Sequence, residues 1–86
     1  MSVFVDSPIY SFGRMKMCHM IADTHEELIA MASSIGVDSK WIQHKSTPRE
    51  HFDICKSKRE LAVKLGAIEV TGRDIALKIR AKRGDK

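Results

Sequence analysis

The chain has 86 residues, of which 43% are hydrophobic and 30% charged, a composition that fits one folded domain and excludes a disordered tail. No apolar run approaches the roughly 20 residues of a membrane-spanning helix, and no basic segment with a long apolar stretch opens the chain, so we expect a cytoplasmic protein. The net charge of +4 is concentrated in residues 56–86, with 10 Lys/Arg against 4 Asp/Glu, which favours an anionic partner.

The first elements follow from short local signals. Val3-Phe4-Val5 is predicted as a buried strand, with a turn at Asp6-Ser7-Pro8 and a loop through Gly13. Residues 14–22 fit either an alternating strand or an extended approach to a helix. Thr24-His25-Glu26-Glu27 matches a capping box, which predicts a helix over 25–35 that Gly36 ends.

The second half alternates in the same way. Residues 40–44 are predicted as a short strand, and Thr47-Pro48-Arg49-Glu50 as one helical turn. Ser57-Lys58-Arg59-Glu60 is a second capping box, which predicts a helix over 58–65 followed by Gly66.

A short strand is predicted over 67–70. The last predicted helix is capped at Thr71, and its inward-facing residues are Ile75, Ala76 and Ile79. The predicted fold class is α/β, a small single domain over residues 1–83 whose short sheet of about two to four strands carries about three helices. Residues 84–86 are expected to be frayed.

Five polar residues stand near predicted strand and helix ends and are candidate site residues. Imidazole and carboxylate suit general acid/base work or a metal ion, with Mg²⁺ as one candidate. The alternative is that they satisfy turns, pack in the core or lie on solvated loops. These residues are Asp6, His19, Asp23, His51 and Asp53.

Ser57, Lys58 and Arg59 place two cations in the first turn of a predicted helix. Cations there oppose the helix dipole, and the exposed N–H groups attract anions, so we expect these residues to hold a phosphate or carboxylate. The alternative is that Lys58 and Arg59 point into water.

Trp41 is explained most simply as a core residue, although it also suits stacking on a ligand ring in the pocket. Cys18 and Cys55 are expected to be reduced thiols, and nucleophilic catalysis has little support because they lack a C-x-x-C spacing or an obvious His/Asn arrangement.

Residues 59–80 partly resemble a helix-turn-helix with a basic second helix, which would bind nucleic acid through Lys78, Arg80 and Arg83. Gly72 and the long Ile68-Glu69-Val70 segment fit that motif poorly.

The chain also resembles a family of short bacterial and phage proteins known as DUF4031, nearly from end to end. Phe4 and Phe52 replace the usual tyrosines, so a role that needs a phenol is in doubt. The resemblance implies that the His/Asp groups and Lys58-Arg59 are family features, and it supplies no activity. The matching segments are Phe4-Val5-Asp6, His19, Ala22-Asp23, Glu27-Leu28, His51-Phe52-Asp53, Ser57-Lys58-Arg59, Ala62 and Gly66-Ala67.

The leading hypothesis is a pocket of these His, Asp, Lys and Arg residues around a phosphorylated small molecule, most simply a nucleotide. The protein would then be a sequestering module or a simple phosphoester hydrolase, and a homodimer would add to the stability of so small a core. Rival hypotheses are DNA binding through the basic C-terminal third and a phage protein-interaction module.

Overall fold

The computed structural model describes residues 2–7, 10–12 and 15–82, in which three strands precede the first helix and helices and strands alternate afterwards. The strands are β1 Val3–Val5, β2 Tyr10–Phe12, β3 Met15–Ala22, β4 Phe52–Cys55 and β5 Ile68–Glu69; the helices are α1 His25–Ser34, α2 Lys56–Lys64 and α3 Gly72–Lys82, with a short 3₁₀ helix at Ser39–Trp41. The predicted α/β class, with three helices on a small mixed sheet, is confirmed. The predicted tail at 84–86 lies outside the described residues.

Strand β3 is the centre of the sheet. Met17 pairs with both Tyr10 and Cys55, and Met20 pairs with both Val5 and Phe52. Strands β1 and β2 therefore lie end to end along one edge of β3, while β4 occupies the other edge. These pairings are antiparallel, and β5 adds to β1 in parallel.

The two faces of the sheet bury different side chains, because successive residues of a strand point to opposite faces. Cys18 and Met20 of β3 join the main core, which also contains Leu28 of α1 and Ala62 of α2. Ile21 points to the other face, where it packs with Phe4 and Ile75 under α3. The sheet thus lies between α1 and α2 on one side and α3 on the other.

Two helix starts predicted from sequence are confirmed. The Thr24 side chain accepts a hydrogen bond from the Glu27 backbone N–H at the start of α1, and Gly36 follows that helix with φ +80°. At the start of α3, Thr71 Oγ1 accepts from the Asp74 backbone N–H while Asp74 accepts from the Thr71 N–H. Reciprocal capping of this kind satisfies otherwise unpaired donors.

Helix α2 begins earlier than predicted. Its N-cap is Cys55, which makes no side-chain capping bond, and the helix already includes Ser57. The predicted capping box at Ser57 is therefore wrong, because β4 runs directly into α2 and the chain turns helical at Lys56. Gly66, with φ +109°, follows the helix as expected.

The predicted strand over 40–44 is wrong. Asp38 accepts a hydrogen bond from the Lys40 backbone N–H and caps the 3₁₀ helix Ser39–Trp41, while Gln43 alone forms a bridge, to His51. The capped 3₁₀ helix takes up Ser39–Trp41, so only Gln43 of this segment forms a β-bridge to another described residue. Trp41 is 64% exposed, which also overturns its assignment to the core.

Three further expectations change. Residues 47–50 form a hydrogen-bonded turn from Thr47 to Glu50 rather than a helical turn. The predicted loop up to Gly13 contains β2, and residues 14–22, left open above, are strand from Met15 onward. The last helix buries Ile75 but leaves Ala76 exposed.

Residues 59–80 do not form a helix-turn-helix, because β5 separates α2 from α3 and pairs with β1. Within the described part of the chain, no helix is long and apolar enough to cross a bilayer.

Candidate functional site

A group of polar side chains lies on the α3 face of the sheet, away from the main core. His19 of β3 is directly opposite Asp53 of β4 in the antiparallel pairing. His51 precedes Asp53 by two residues and therefore shares its face. Asp6 follows β1, two residues beyond Phe4, and reaches the same face.

Asp6 fixes His19. The Asp6 side chain is completely buried, and its Oδ1 accepts a hydrogen bond from the His19 backbone N–H at 2.7 Å. Its Oδ2 lies 2.8 Å from His19 Nδ1, which must be the donor because a carboxylate only accepts. The proton of the neutral ring is therefore on Nδ1, and the lone pair is on Nε2.

His51 is held in the same tautomer by a different partner. Its Nδ1 lies 2.8 Å from the Arg49 carbonyl oxygen, so Nδ1 donates and Nε2 again carries the lone pair. The His51 ring meets the His19 ring edge to face, with centroids 5.5 Å apart, and stacks on His44 at 5.8 Å.

Asp53 lies where the two Nε2 atoms point. Its Oδ2 accepts a hydrogen bond from the Gln43 side-chain amide. Its Oδ1 is buried and has no hydrogen-bond partner among the described residues, although it lies 3.4 Å from His51 Nε2 and 3.9 Å from His19 Nε2. Together, His19, His51 and Asp53 offer three ligand atoms within 4.8 Å of one another, so these are the residues that could hold a metal ion.

A cavity of about 400 Å³ opens beside this group, between the sheet and α3. Its apolar floor comes from Ile21 of β3 and from one side of α3. Its polar lining combines the two oriented imidazoles with Arg49 from the loop before β4. The lining residues are Asp6, His19, Ile21, His44, Arg49, His51, Gly72, Ile75, Ala76 and Ile79.

Four of the predicted site residues converge here: Asp6, His19, His51 and Asp53. Asp23 does not. It lies four residues beyond His19, about 13 Å at roughly 3.3 Å per residue, and accepts a hydrogen bond from the Ser2 backbone N–H. Trp41, also predicted for the pocket, is exposed and lies beside Lys40 instead.

The predicted anion site on α2 is not supported by its side chains. Arg59 donates to the Asp6 carbonyl at 2.7 Å and pairs with Glu69 at 3.0 Å, so it stabilises the site from behind. The Lys58 ammonium lies against Gly36, on the α1 side of the sheet. Ser57 contacts the Cys55 thiol.

Sequence reasoning missed His44, Arg49 and Gln43. They come from the loop before β4, and no local motif marks them. His44 has φ +55° and Ser46 has φ +63°, so two left-handed residues bend this loop back over the sheet. That bend is a property of the folded loop rather than of a recognisable sequence pattern.

The two cysteines are free and differ in ionisation. Burial raises the pKa of the Cys18 thiol to about 12, with the nearby Asp6 carboxylate adding to the effect. The hydrogen bond with Ser57, aided by backbone N–H groups at the start of α2, lowers the pKa of the Cys55 thiol. Cys18 faces the main core, on the opposite face of the sheet from the cavity.

The fold is a small α/β domain. Its candidate site is a group of histidine and aspartate side chains, held in place by hydrogen bonds, beside a cavity that is partly lined by apolar residues. The chain belongs to the family described as protein of unknown function (DUF4031), whose model matches residues 3–82. The family resemblance inferred from sequence is thereby confirmed. No curated protein and no solved structure matches the chain.

Proposed function

We propose that the cavity under α3 binds a phosphorylated small molecule, a nucleotide being the best fit. The observation that carries this proposal is that an arginine and oriented imidazoles line the same cavity as a set of isoleucine side chains. Such a cavity matches a ligand that is anionic at one end and flat and apolar at the other.

Arg49 is the phosphate-binding group in this proposal. Arg49 lines the cavity, and its guanidinium forms no ion pair with any of the described residues. Guanidinium groups bind phosphate oxygens through two parallel hydrogen bonds. This role replaces the one that the sequence suggested for Lys58 and Arg59, because Arg59 contacts Asp6 and Glu69 and Lys58 lies on the α1 side of the sheet.

The floor and the size of the cavity suit a base or similar ring. Ile21, Ile75 and Ile79 provide the apolar surface, and about 400 Å³ lies within the roughly 300–1,000 Å³ of small-molecule sites. His44 and His51, already stacked on each other, extend a flat surface at the rim.

The bound molecule would be either sequestered or hydrolysed at its phosphoester bond. Hydrolysis has support from the Asp6–His19 pair, because a fixed tautomer is what a proton-transferring or metal-binding imidazole needs. We place this activity in the cytoplasm of a bacterium or of a phage-infected cell, in keeping with the family resemblance.

A thermal-shift screen of nucleotides and sugar phosphates, with and without divalent metal, tests the proposal. A ligand at 100 times its Kd should stabilise the protein by about 2.7 kcal/mol, or on the order of 10 °C for a domain of this size. Arg49→Gln should abolish the shift, and Lys64→Gln, which removes one charge from exposed α2 surface, should keep it. Product analysis then separates hydrolysis from sequestration.

The proposal fails if no phosphorylated compound raises the melting temperature, or if Arg49→Gln responds like the unmodified protein. DNA binding through the C-terminal helix has less support. Lys78 lies over the Phe4 ring at 4.0 Å and Lys82 donates to the Ala22 carbonyl, so two of its cations are engaged within the fold. Arg83 lies outside the described residues.

A further inference from the structure

We propose that His19, His51 and Asp53 form a binding site for a divalent transition-metal ion of the zinc class. The ligand atoms are the two Nε2 nitrogens and Asp53 Oδ1. Two imidazoles with one carboxylate favour Zn²⁺, Co²⁺ or Fe²⁺ over the Mg²⁺ considered from sequence, because Mg²⁺ takes oxygen ligands.

The distances fit such an ion. Tetrahedral ligands at about 2.0–2.1 Å from a metal lie roughly 3.3 Å from one another. His51 Nε2 and His19 Nε2 lie 3.4 and 3.9 Å from Asp53 Oδ1. All three atoms lie within 4.8 Å of one another, so side-chain rotations that shorten these separations would bring them onto one ion.

The proton positions also favour a bound cation. Hydrogen bonds to Asp6 and to the Arg49 carbonyl place the ring protons of His19 and His51 on Nδ1. Two nitrogen lone pairs and a buried carboxylate oxygen without a hydrogen-bond partner among the described residues thus face one another. Three electron-rich atoms repel unless a cation or a proton lies between them.

Each ligand is oriented by a partner behind it. Asp6 holds His19, the Arg49 carbonyl holds His51, and the Gln43 amide holds Asp53 through its other oxygen. Carboxylates and backbone carbonyls behind metal-binding histidines are the usual arrangement, since they set the tautomer and the ring orientation.

Three protein ligands leave a coordination position for water or for a ligand oxygen. His19 and His51 both line the cavity, so that position faces the proposed phosphate site. The two carboxylates of Asp6 and Asp53 and the guanidinium of Arg49 give the site a net charge of one negative unit. A bound divalent ion would make that net charge positive. Only this link to phosphate rests on the proposed function, whereas metal binding itself does not.

The test is calorimetric and spectroscopic titration of chelator-stripped protein with ZnCl₂, CoCl₂ and MgCl₂, without any phosphorylated compound. We expect one equivalent of Zn²⁺ or Co²⁺, visible absorption typical of low-coordinate Co²⁺, and no comparable Mg²⁺ binding. His51→Ala and Asp53→Asn should each lower the affinity for Zn²⁺ by more than the 10–100-fold typical of a residue that only orients a ligand. His25→Gln changes a histidine outside the cluster and should leave the Zn²⁺ affinity unchanged.

Asp53→Asn separates ligation from a structural role. The amide keeps the bond with Gln43 and removes the negative charge, so the metal-free variant should melt no lower than the metal-free parent and should gain no stability from Zn²⁺. The metal site would be overturned if the protein bound less than one equivalent of Zn²⁺. It would also be overturned if His51→Ala and His25→Gln lost Zn²⁺ affinity equally.

The metal site and the proposed function fail separately. Zn²⁺ binding without a thermal shift from any phosphorylated compound removes only the phosphate proposal. A nucleotide shift that persists in chelator, in a protein that takes up no Zn²⁺, removes only the metal site.

Discussion

Replacing Asp6 with asparagine tests whether this buried carboxylate determines the proton position on His19. Asparagine has one carbonyl oxygen to accept and an NH₂ that only donates. The His19 backbone N–H always donates, so the carbonyl should stay with it and leave the NH₂ facing Nδ1. We therefore expect the ring proton of His19 to move from Nδ1 to Nε2 in Asp6→Asn.

The structure also indicates the cost in stability. Two hydrogen bonds to a charged acceptor, at 2.7 and 2.8 Å, become two neutral ones, which lowers each contribution from about 1.5–3 to about 0.5–1.5 kcal/mol. Because the His19 side chain is 32% exposed, the lower end applies, about 2 kcal/mol, or on the order of 10 °C in melting temperature.

Long-range ¹⁵N–¹H correlation spectra of metal-free protein at about pH 8, above the ordinary titration range of imidazole, measure the tautomer directly. The nitrogen shifts of His19 should exchange in Asp6→Asn, while those of His51 stay unchanged. Asp38→Asn, which keeps a competent cap on an exposed turn, should leave both rings and the melting temperature unchanged. A His19 proton that remains on Nδ1 in Asp6→Asn would refute the positioning role.

Three further predictions concern the rest of the fold. Iodoacetamide should modify Cys55 much faster than Cys18 at pH 8. The lowered pKa of Cys55 gives more thiolate, whereas the buried Cys18 thiol, with a pKa of about 12, stays protonated. Mass spectrometry should find equal modification rates for the two cysteines only in denaturant. Thr71→Ala should cost about 1 kcal/mol by urea unfolding, and an unchanged midpoint would mean that the cap on α3 contributes nothing. Trp41→Ala should cost no more than about 0.5 kcal/mol, since a loss above about 2 kcal/mol would indicate a buried ring.

Local signals in the sequence predicted much of the secondary structure correctly. The strand at Val3–Val5 and the helices that begin after Thr24 and Thr71 depend on side-chain and backbone contacts within a few residues. Their predictions needed no knowledge of the remaining chain. The strand predicted over 40–44 failed because Asp38 caps a 3₁₀ helix over Ser39–Trp41, which leaves only Gln43 to pair, with His51.

The candidate site was predicted in part. Asp6, His19, His51 and Asp53 were singled out as polar residues at element ends, and they converge. Lys58 and Arg59 were matched to the wrong surroundings, because a sequence cannot show that one side chain contacts Gly36 while the other supports the Asp6 carbonyl.

The sequence by itself determined the α/β class, the family, the starts of α1 and α3 and a short set of polar candidates, since helix caps act over neighbouring residues. Only the tertiary structure decided that positions 6, 19 and 53 meet, because strand register brings distant residues onto one face. It also supplied the proton positions, which depend on hydrogen bonds made between those distant segments.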